Sequence, residues 1–370
     1  MMDLYGVHQQ HRAEIDAAIS EVLDSSAFIN GPRVKNFREQ LAAYTGSSHV
    51  ITCGNCTDAL QISLMALGLH PGDEVIVPAF TYIATAEVVG LLNLTPVMVD
   101  VDESSFNVTA SNLEKGLSGK TKAVVPVHLF GQACDMSAIM AFAKRNNVLV
   151  IEDNAQSLGA EALFPDGSRH HTGTMGHIGC TSFFPTKNLG CLGDGGAMMT
   201  EDEALAKRLD QIANHGQEIK YHHEILGCNS RLDTLQAAVL EVKLKYLDEQ
   251  IKGRYQVAQR YHSLLEGVNG LILPEEKPWS THTYNQFTVR VQGGRRDGLK
   301  EYLAGEGISS MIYYPLPLQA QRAFRGITRQ GEPLVVAERL CQEVLSLPMH
   351  PLLAQEDQEY IAEKIRTYLK

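Results

Sequence analysis

Basic residues are scarce in this 370-residue sequence: 32 lysines and arginines stand against 43 aspartates and glutamates, for a net charge of −11. Nucleic-acid binding depends on clustered cations that neutralise phosphates, so the acidic balance argues against a nucleic-acid partner. Long apolar runs are also missing, and the sequence predicts no membrane-spanning segment. The first residues lack the basic and then apolar arrangement of a signal peptide, so we expect a cytoplasmic protein.

The seven cysteines lack the evenly paired pattern of a disulfide framework. They stand at positions 53, 56, 134, 180, 191, 228 and 341. Cys53 and Cys56 have the spacing of a redox pair or of half a zinc site, but no second ligand pair with zinc spacing is present. We therefore predict that the pair is accidental and that no metal is bound.

Length and composition favour a globular protein of two domains, with 44% hydrophobic residues and no low-complexity tract. Short β-branched runs alternate with amphipathic stretches, which predicts an α/β fold with a mostly parallel mixed sheet flanked by helices. We predict a large domain over residues 1–250, with an N-terminal helical segment, and a small α+β domain over residues 251–370. The predicted strands are residues 50–52, 74–78, 96–100, 123–129, 148–152 and 285–291. The predicted helices are residues 10–24, 34–44, 58–67, 85–92, 113–117, 136–145, 204–214, 233–257 (one helix or two), 297–304 and 356–369.

One lysine stands in a context that favours an uncharged amine. Lys187 follows Phe183 and Phe184 and precedes a glycine-rich turn, which suggests a buried side chain on a tight loop. Burial disfavours the ammonium form, so the pKa of such a lysine falls. The neutral amine is a nucleophile that forms a Schiff base with an aldehyde. The alternative is a surface lysine at the end of a strand.

An aspartate is predicted at the carboxyl end of a buried strand. Asp153 follows the predicted strand at residues 148–152, and ligands of open α/β sheets gather at that edge. Pyridoxal phosphate (PLP) needs a carboxylate there, which keeps its pyridine nitrogen protonated so that the ring acts as an electron sink. Gln156 lies three residues further on, within reach of the ring hydroxyl. The alternative for Asp153 is a helix N-cap.

A turn of small residues joins the first predicted strand to its helix. Residues 53–57 read Cys-Gly-Asn-Cys-Thr, and a small-residue turn at a helix start presents free N–H groups to anions. The hydroxyls of Thr57 and Ser182 are candidates to bind the same anion. Gly54 also fits an ordinary turn, so the alternative is a loop without a ligand.

Together these segments resemble the fold-type I PLP enzymes and, more narrowly, the DegT/StrS family of nucleotide-sugar aminotransferases. The resemblance extends from FINGP at residues 28–32 to SLPMHP at residues 346–351. Its most specific stretches are TDALQ at 57–61, PGDEVI at 71–76, EDNAQS at 152–157, SFFPTK at 182–187 and GDGGA at 193–197.

The resemblance implies a role for each matching residue. Lys187 is implied as the Schiff-base lysine and proton carrier, and Asp153 as the partner of the pyridine nitrogen. Gln156 is implied to face the ring oxygen. The other implied cofactor contacts are Tyr82 and Ala155 on the two ring faces, and Thr57, Asp58 (through its backbone) and Ser182 at the phosphate. Asn229 matches an asparagine that reaches the phosphate from the partner subunit, which implies a homodimer with shared active sites.

Within this family the sequence resembles one subgroup most, and that resemblance implies the substrates. Its members transfer the amino group of L-glutamate to C3 of UDP-2-acetamido-2-deoxy-3-oxo-glucuronate, for O-antigen or related surface glycans. Arg231 is a candidate cation for the anionic nucleotide or uronate, and its alternative is a surface ion pair. Tyr313 and Tyr314 belong to a substrate-facing segment, where Tyr313 and the nearby Gln319 depart from the subgroup's pattern. The alternatives are a dTDP- or UDP-linked 3-oxo or 4-oxo hexose as acceptor and, in a different class, a non-catalytic PLP-binding regulator.

Overall fold

The computed structural model describes all 370 residues, and it has the alternation of strands and helices that the sequence predicts. The helices are Leu4–Gln9 (α1), Arg12–Ser25 (α2), Pro32–Thr45 (α3), Cys56–Ala66 (α4), Ala84–Leu91 (α5), Ala110–Gly116 (α6), Met136–Asn146 (α7), Glu203–Ala213 (α8), Thr234–Leu244 (α9), Leu247–Leu265 (α10), Arg296–Gly305 (α11), Val335–Glu343 (α12) and Gln355–Leu369 (α13). None of them is both long and apolar enough to cross a membrane.

Fifteen strands form one large sheet and three small ones. They are His49–Cys53 (β1), Glu74–Pro78 (β2), Thr95–Val99 (β3), Thr121–Val124 (β4), Leu149–Asp153 (β5), Glu161–Leu163 (β6), Arg169–His171 (β7), Ile178–Ser182 (β8), Gly196–Thr200 (β9), Gln217–Ile219 (β10), His222–His223 (β11), Leu271–Ile272 (β12), Phe287–Val291 (β13), Arg329–Gln330 (β14) and Val344–Leu347 (β15).

The large sheet has the strand order β1-β9-β8-β5-β4-β2-β3-β14. The neighbours from β8 to β14 pair in parallel, whereas β9 pairs antiparallel to both β1 and β8. The sheet is therefore mixed and mostly parallel, as predicted. Because β1 and β8 both oppose β9, they point the same way as β5, and the carboxyl ends of all three strands lie at one edge.

Burial explains why these strands form. Strands β2, β8 and β9 are buried along their whole length, and β-branched or other apolar side chains cover both of their faces. A main core of 55 buried residues surrounds the sheet. Isolated strand or helix propensity plays a smaller part, because the packing of both sheet faces decides which segments pair.

The fourth predicted strand is shorter in the structure. Residues 123–129 were expected to be extended throughout, but β4 ends at Val124. Pro126 has no N–H for the ladder, and only an isolated bridge joins Val127 to Asp153. The chain then turns at Phe130, which has a positive φ of 60°.

The C-terminal part has a core of its own. Eighteen buried residues between Val257 and Leu369 pack together around the antiparallel sheet β12-β13-β15. Strand β14 nevertheless pairs with β3 of the large sheet. We propose that the chain has two domains. The predicted boundary between them, at residue 250, lies inside α10.

Candidate active site

The carboxyl edge of the large sheet collects the predicted site residues. Asp153 is the last residue of β5, Ser182 is the last residue of β8, and Cys53 ends β1 just before helix α4. The shared direction of these three strands places their ends side by side, although the residues are far apart in sequence. This edge is where the ligands of open α/β sheets bind.

Asp153 is a buried carboxylate with two protein donors. Its Oδ2 accepts from Thr85 Oγ1 at 2.8 Å, and its Oδ1 accepts from the Ala155 N–H at 3.1 Å. Burial raises the pKa of Asp153, while the bonds from Thr85 and Ala155 and the positive charge of Lys187 oppose that rise. No helix begins after β5, so Asp153 is not an N-cap.

Lys187 lies in the turn that follows β8. Its N–H donates to the Phe184 carbonyl at 2.9 Å, and the side chain is half-buried. Burial lowers the pKa of Lys187, and the nearby Cys56 and Asp153 only partly offset that effect. Its partial burial, and not the lack of an ion pair, distinguishes it from the surface lysine of the alternative. Only Phe183 of the two preceding aromatics is buried, with Phe184 about half exposed.

The turn before α4 leaves two amide donors free. Asn55 caps the helix by accepting from the Asp58 N–H at 2.8 Å. The Asp58 amide, which the resemblance assigns to the phosphate, is therefore occupied in this structure. The N–H groups of Cys56 and Thr57 have no protein acceptor. Together with the hydroxyls of Thr57 and Ser182, they form the set of donors that a phosphate needs.

Gln156 is held between two protein groups. Its Oε1 accepts from the Phe130 N–H at 2.7 Å, and its Nε2 donates to the Tyr314 hydroxyl at 3.2 Å. Because the Phe130 amide needs an acceptor, the carboxamide oxygen is fixed towards it and the NH₂ group remains as a donor. The ring of Tyr314 lies 6.2 Å from that of Tyr82, so both tyrosines border the same space as Gln156. Tyr313 packs edge to face against Tyr314 at 5.9 Å.

The segment that contains Asn229 and Arg231 runs beside the start of α4. Ser230 joins this segment to the start of α4. Its Oγ donates to Asp58 Oδ2 at 2.6 Å and accepts from the Gly54 N–H at 2.9 Å. The side chain of Asn229 is exposed and unpaired within the chain. Arg231 is half-buried and forms no ion pair, which differs from the surface pair of the alternative.

Sequence reasoning missed Thr85, Ser230 and a buried hydrogen-bond network behind β5. Glu152 accepts from the backbone N–H groups of Gly173, Met175 and Gly176 at 2.6–2.8 Å, and from His128 Nε2 at 2.8 Å. His128 Nδ1 accepts from the Cys134 N–H, so Nε2 is the ring nitrogen that donates to Glu152. An acidic residue inside the apolar run of β5 was the available signal for Glu152. Thr85 had none.

The thiols near the site are unreactive. Burial raises the pKa of Cys53 and Cys56 well above the ordinary range, so both are protonated at neutral pH. All seven cysteines are free. No group of three or more histidine, cysteine or acidic side chains is arranged to hold a metal ion.

The residues at this edge fit PLP. They provide a buried carboxylate for the pyridine nitrogen, an amine of lowered pKa for the aldehyde, and free amides and hydroxyls for the phosphate. With the mixed sheet and its flanking helices, they define a fold-type I PLP-dependent enzyme.

Comparison with known proteins gives the family. Residues 9–366 match the DegT/DnrJ/EryC1/StrS aminotransferase family, and the chain belongs to it. The protein is thus a PLP-dependent aminotransferase, as the sequence predicted. The "X-ray crystal structure of S. venezuelae DesV in complex with ketimine intermediate" superposes with a TM-score of 0.94 at 39% identity, over 100% of this chain and 98% of that one.

Three curated relatives have names of different kinds. The "UDP-2-acetamido-2-deoxy-3-oxo-D-glucuronate aminotransferase" of Pseudomonas aeruginosa is 44% identical over 95% of both chains. A "Pleiotropic regulatory protein" of Geobacillus stearothermophilus is 43% identical over 100% of this chain and 98% of its own. The "dTDP-3-amino-3,4,6-trideoxy-alpha-D-glucose transaminase" of Streptomyces venezuelae is 39% identical over 99% and 95%.

Proposed function

We propose that this protein transfers the amino group of L-glutamate to C3 of a UDP-linked 3-oxo sugar, and specifically to UDP-2-acetamido-2-deoxy-3-oxo-glucuronate. The observation that supports this choice is the unpaired guanidinium of Arg231 beside the cofactor edge, since a nucleotide-linked uronate brings carboxylate and phosphate groups for it to bind. The Pseudomonas relative, named for this same substrate, adds support. In this proposal the product serves surface-glycan or O-antigen synthesis in the cytoplasm.

Each residue has a defined task in the proposed reaction. Bound PLP supplies the electron sink for both half-reactions. Lys187, whose lowered pKa makes the neutral amine available, would carry the proton between the substrate carbon and the cofactor carbon that takes up the amino group. Asp153 keeps the pyridine nitrogen protonated, and Gln156 donates to the ring oxygen. Tyr82 and Ala155 cover the two ring faces, and Tyr313 and Tyr314 border the acceptor sugar.

Two experiments test the donor and the lysine. We expect the visible absorption of bound PLP to bleach when L-glutamate is added, with release of 2-oxoglutarate. Lys187→Ala should remove transamination while the fold persists, and Asp153→Asn should bind PLP but lose most activity. Bound PLP that ignores L-glutamate would refute the proposed donor, and turnover by Lys187→Ala would refute the lysine's role.

A third experiment tests the acceptor. Purified enzyme loaded with the amino group is mixed with UDP- or dTDP-linked 3-oxo and 4-oxo sugars, and the return of PLP absorption is timed. The UDP-3-oxo-uronate should react fastest, and Arg231→Gln should raise its KM about tenfold or more, as expected for loss of a bond to a charged group. Arg145→Gln, on an exposed face of α7, is the control. Faster reaction of a dTDP-linked hexose would favour the second candidate, for which the Streptomyces relative is the precedent.

The alternative function, a non-catalytic PLP-binding regulator, is supported by one relative, the "Pleiotropic regulatory protein" of Geobacillus stearothermophilus. We favour catalysis, because Lys187 and Asp153 are both present and arranged for it. A protein that binds PLP but transfers no amino group to any acceptor would favour the regulator.

We further propose a homodimer in which Asn229 reaches the phosphate of the partner's cofactor. Its exposed, unpaired side chain is available for such a contact. Mixing Lys187→Ala subunits with Asn229→Ala subunits should restore one complete site per hybrid dimer. Mixing Lys187→Ala with Asp153→Asn should not, because both residues come from the same subunit. Equal recovery in both mixtures would contradict the shared site.

A further inference from the structure

A small cavity lies behind the loop that contains Lys187. Its volume is about 30 Å³, the space of one water molecule or one monatomic anion. Residues of the lysine loop form one wall, and α1, the C-terminal end of α9 and the first half of α10 form the others. The mechanism uses none of the other residues that border this cavity, which include His11, Asn188, Lys243 and Arg254.

Two of the bordering residues are cations without a carboxylate partner. Arg254 is 2% exposed, and its Nη1 donates only to the carbonyl oxygens of Tyr284 and Asn285, both at 3.3 Å. Lys243 Nζ donates to the Gly190 carbonyl at 2.5 Å. Neither side chain forms an ion pair. Burial lowers the pKa of both, and no acidic group counters that effect at Arg254.

A third bordering group has an unused hydrogen-bonding atom. Nε2 of His11 is buried without a partner, while the ring stacks on Tyr246 at a centroid distance of 3.7 Å. Stacking fixes the ring orientation, so Nε2 remains available to donate to an occupant of the cavity. A buried cation, a half-buried cation and an unpaired imidazole nitrogen therefore border one small, partly open cavity.

A buried charge without a counter-charge strongly destabilises a folded protein. The acceptors of Arg254 and Lys243 are carbonyl oxygens and, for Arg254 Nη2, the sulfur of Met2 at 3.4 Å, and none of these carries a full negative charge. We propose that the cavity binds one small monovalent inorganic anion, of the size of chloride, between Lys243 and Arg254. The site is separate from the phosphate donors of α4 and does not depend on the proposed sugar substrate.

A single water molecule is the competing occupant. It would satisfy hydrogen bonds, including that of the unpaired Asn188 Oδ1, but it would leave both positive charges uncompensated. The two occupants differ in one measurable respect, because only the anion makes stability depend on the kind of salt.

The first test is the melting temperature of the PLP-loaded enzyme in sodium chloride or bromide, against sodium gluconate at equal ionic strength. We expect a saturable rise of about 3 °C in halide at a hundredfold excess over the Kd. Lys243→Met should lose the rise, and Lys245→Met, an exposed lysine two residues further on, should retain it. Equal melting temperatures in halide and gluconate, or an equal rise in both variants, would overturn the proposal.

The second test needs no variant. It distinguishes an anion from a water molecule in the cavity even if Lys243→Met does not fold. Crystals of the wild-type enzyme grown in sodium bromide should show anomalous scattering from bromide inside the cavity between Lys243 and Arg254. A cavity filled by water, without anomalous signal, would exclude the anion. Because both readouts are independent of turnover, they also separate this site from any failure of the proposed aminotransfer.

Discussion

Thr85 Oγ1 donates a 2.8 Å hydrogen bond to Asp153 Oδ2, and it is the only side chain that does so. Thr85 belongs to the first turn of α5, whereas Asp153 ends β5, so the bond joins two elements at the cofactor edge. A bond to the ionised form of a buried carboxyl favours that form. Thr85 therefore helps Asp153 to remain charged despite its burial.

Thr85→Val should weaken the charged form of Asp153. The variant keeps the shape of the side chain but removes its donor, so the pKa of Asp153 should rise further. We expect the acid limb of kcat/KM to move up by about 1 pH unit, the effect of losing a bond to a charged group. Thr181→Val is the control, since Thr181 Oγ1 donates to a backbone carbonyl instead. An acid limb that moves equally in both variants would refute the role of Thr85.

Tyr314→Phe should reduce the affinity for PLP. Gln156 Nε2 would lose its acceptor, and the carboxamide would be free to rotate away from the orientation set by Phe130. One neutral hydrogen bond is worth about 1 kcal/mol, so the Kd for PLP should rise roughly fivefold. The matched control is Tyr313→Phe, whose hydroxyl makes no bond to Gln156. Titration of the PLP-free protein, followed by absorbance, measures both, and equal losses would contradict the prediction.

Ser230→Ala should loosen the turn before α4. Its hydroxyl joins the Gly54 amide to the Asp58 carboxylate, and the variant leaves a partly buried donor and a carboxylate acceptor without that partner. We expect the Kd for PLP to rise about tenfold. Ser168→Ala, in the exposed turn between β6 and β7, should leave it unchanged. If Ser230→Ala lowers stability but not PLP affinity, the serine is structural only.

Glu152→Gln should destabilise the protein without touching the cofactor. Its carboxylate accepts from three backbone amides and from His128, and a glutamine would place an NH₂ group against at least one of those donors. Loss of one partner in such a buried network costs about 3 kcal/mol. Urea unfolding of the PLP-free protein measures the change. Glu161→Gln, which removes a partly exposed ion pair with Arg169, should cost below about 1 kcal/mol.

Lys187 should make the stability of the PLP-free protein depend on pH. Burial lowers its pKa below the ordinary 10.5, so the unfolded chain binds this proton more tightly than the folded one. Stability from this group is therefore lowest when Lys187 is protonated, and it rises as pH increases from the folded pKa to about 10.5. Lys187→Met should lose that part of the rise in the urea midpoint, whereas exposed Lys245→Met should keep it. Identical profiles for both variants would contradict the lowered pKa.

Much of the fold followed from local patterns. The buried runs at β2, β3 and β5 and most of the amphipathic helices were predicted within a few residues, because a two-sided apolar strand and a one-sided apolar helix have different periods. Helices α1 and α12 were not predicted. Strands β8, β9 and β15 were not predicted either. The short strands β6, β7, β10, β11, β12 and β14 were also not predicted. Their two or three residues carry too little pattern, and pairing with a neighbour decides whether they exist.

The predicted site was recognisable only in part. Lys187, Asp153 and Gln156 stood in motifs with a chemical meaning, and the structure places them at one sheet edge. Thr85 and Ser230 had no such motif, since a hydroxyl is equally common in any helix or loop. Their roles come from atoms that are distant in sequence and 2.6–2.9 Å apart in space.

The sequence by itself determined the α/β class, the family and the chemical groups available to the site, because those depend on residue types and their local spacing. Only the tertiary structure decided which donors remain free. The Asp58 amide is occupied by Asn55, the amides of Cys56 and Thr57 are not, and Lys243 and Arg254 border one cavity without a counter-charge. A hydrogen bond or a buried charge depends on distances of a few ångströms between remote segments, and no local pattern encodes those distances.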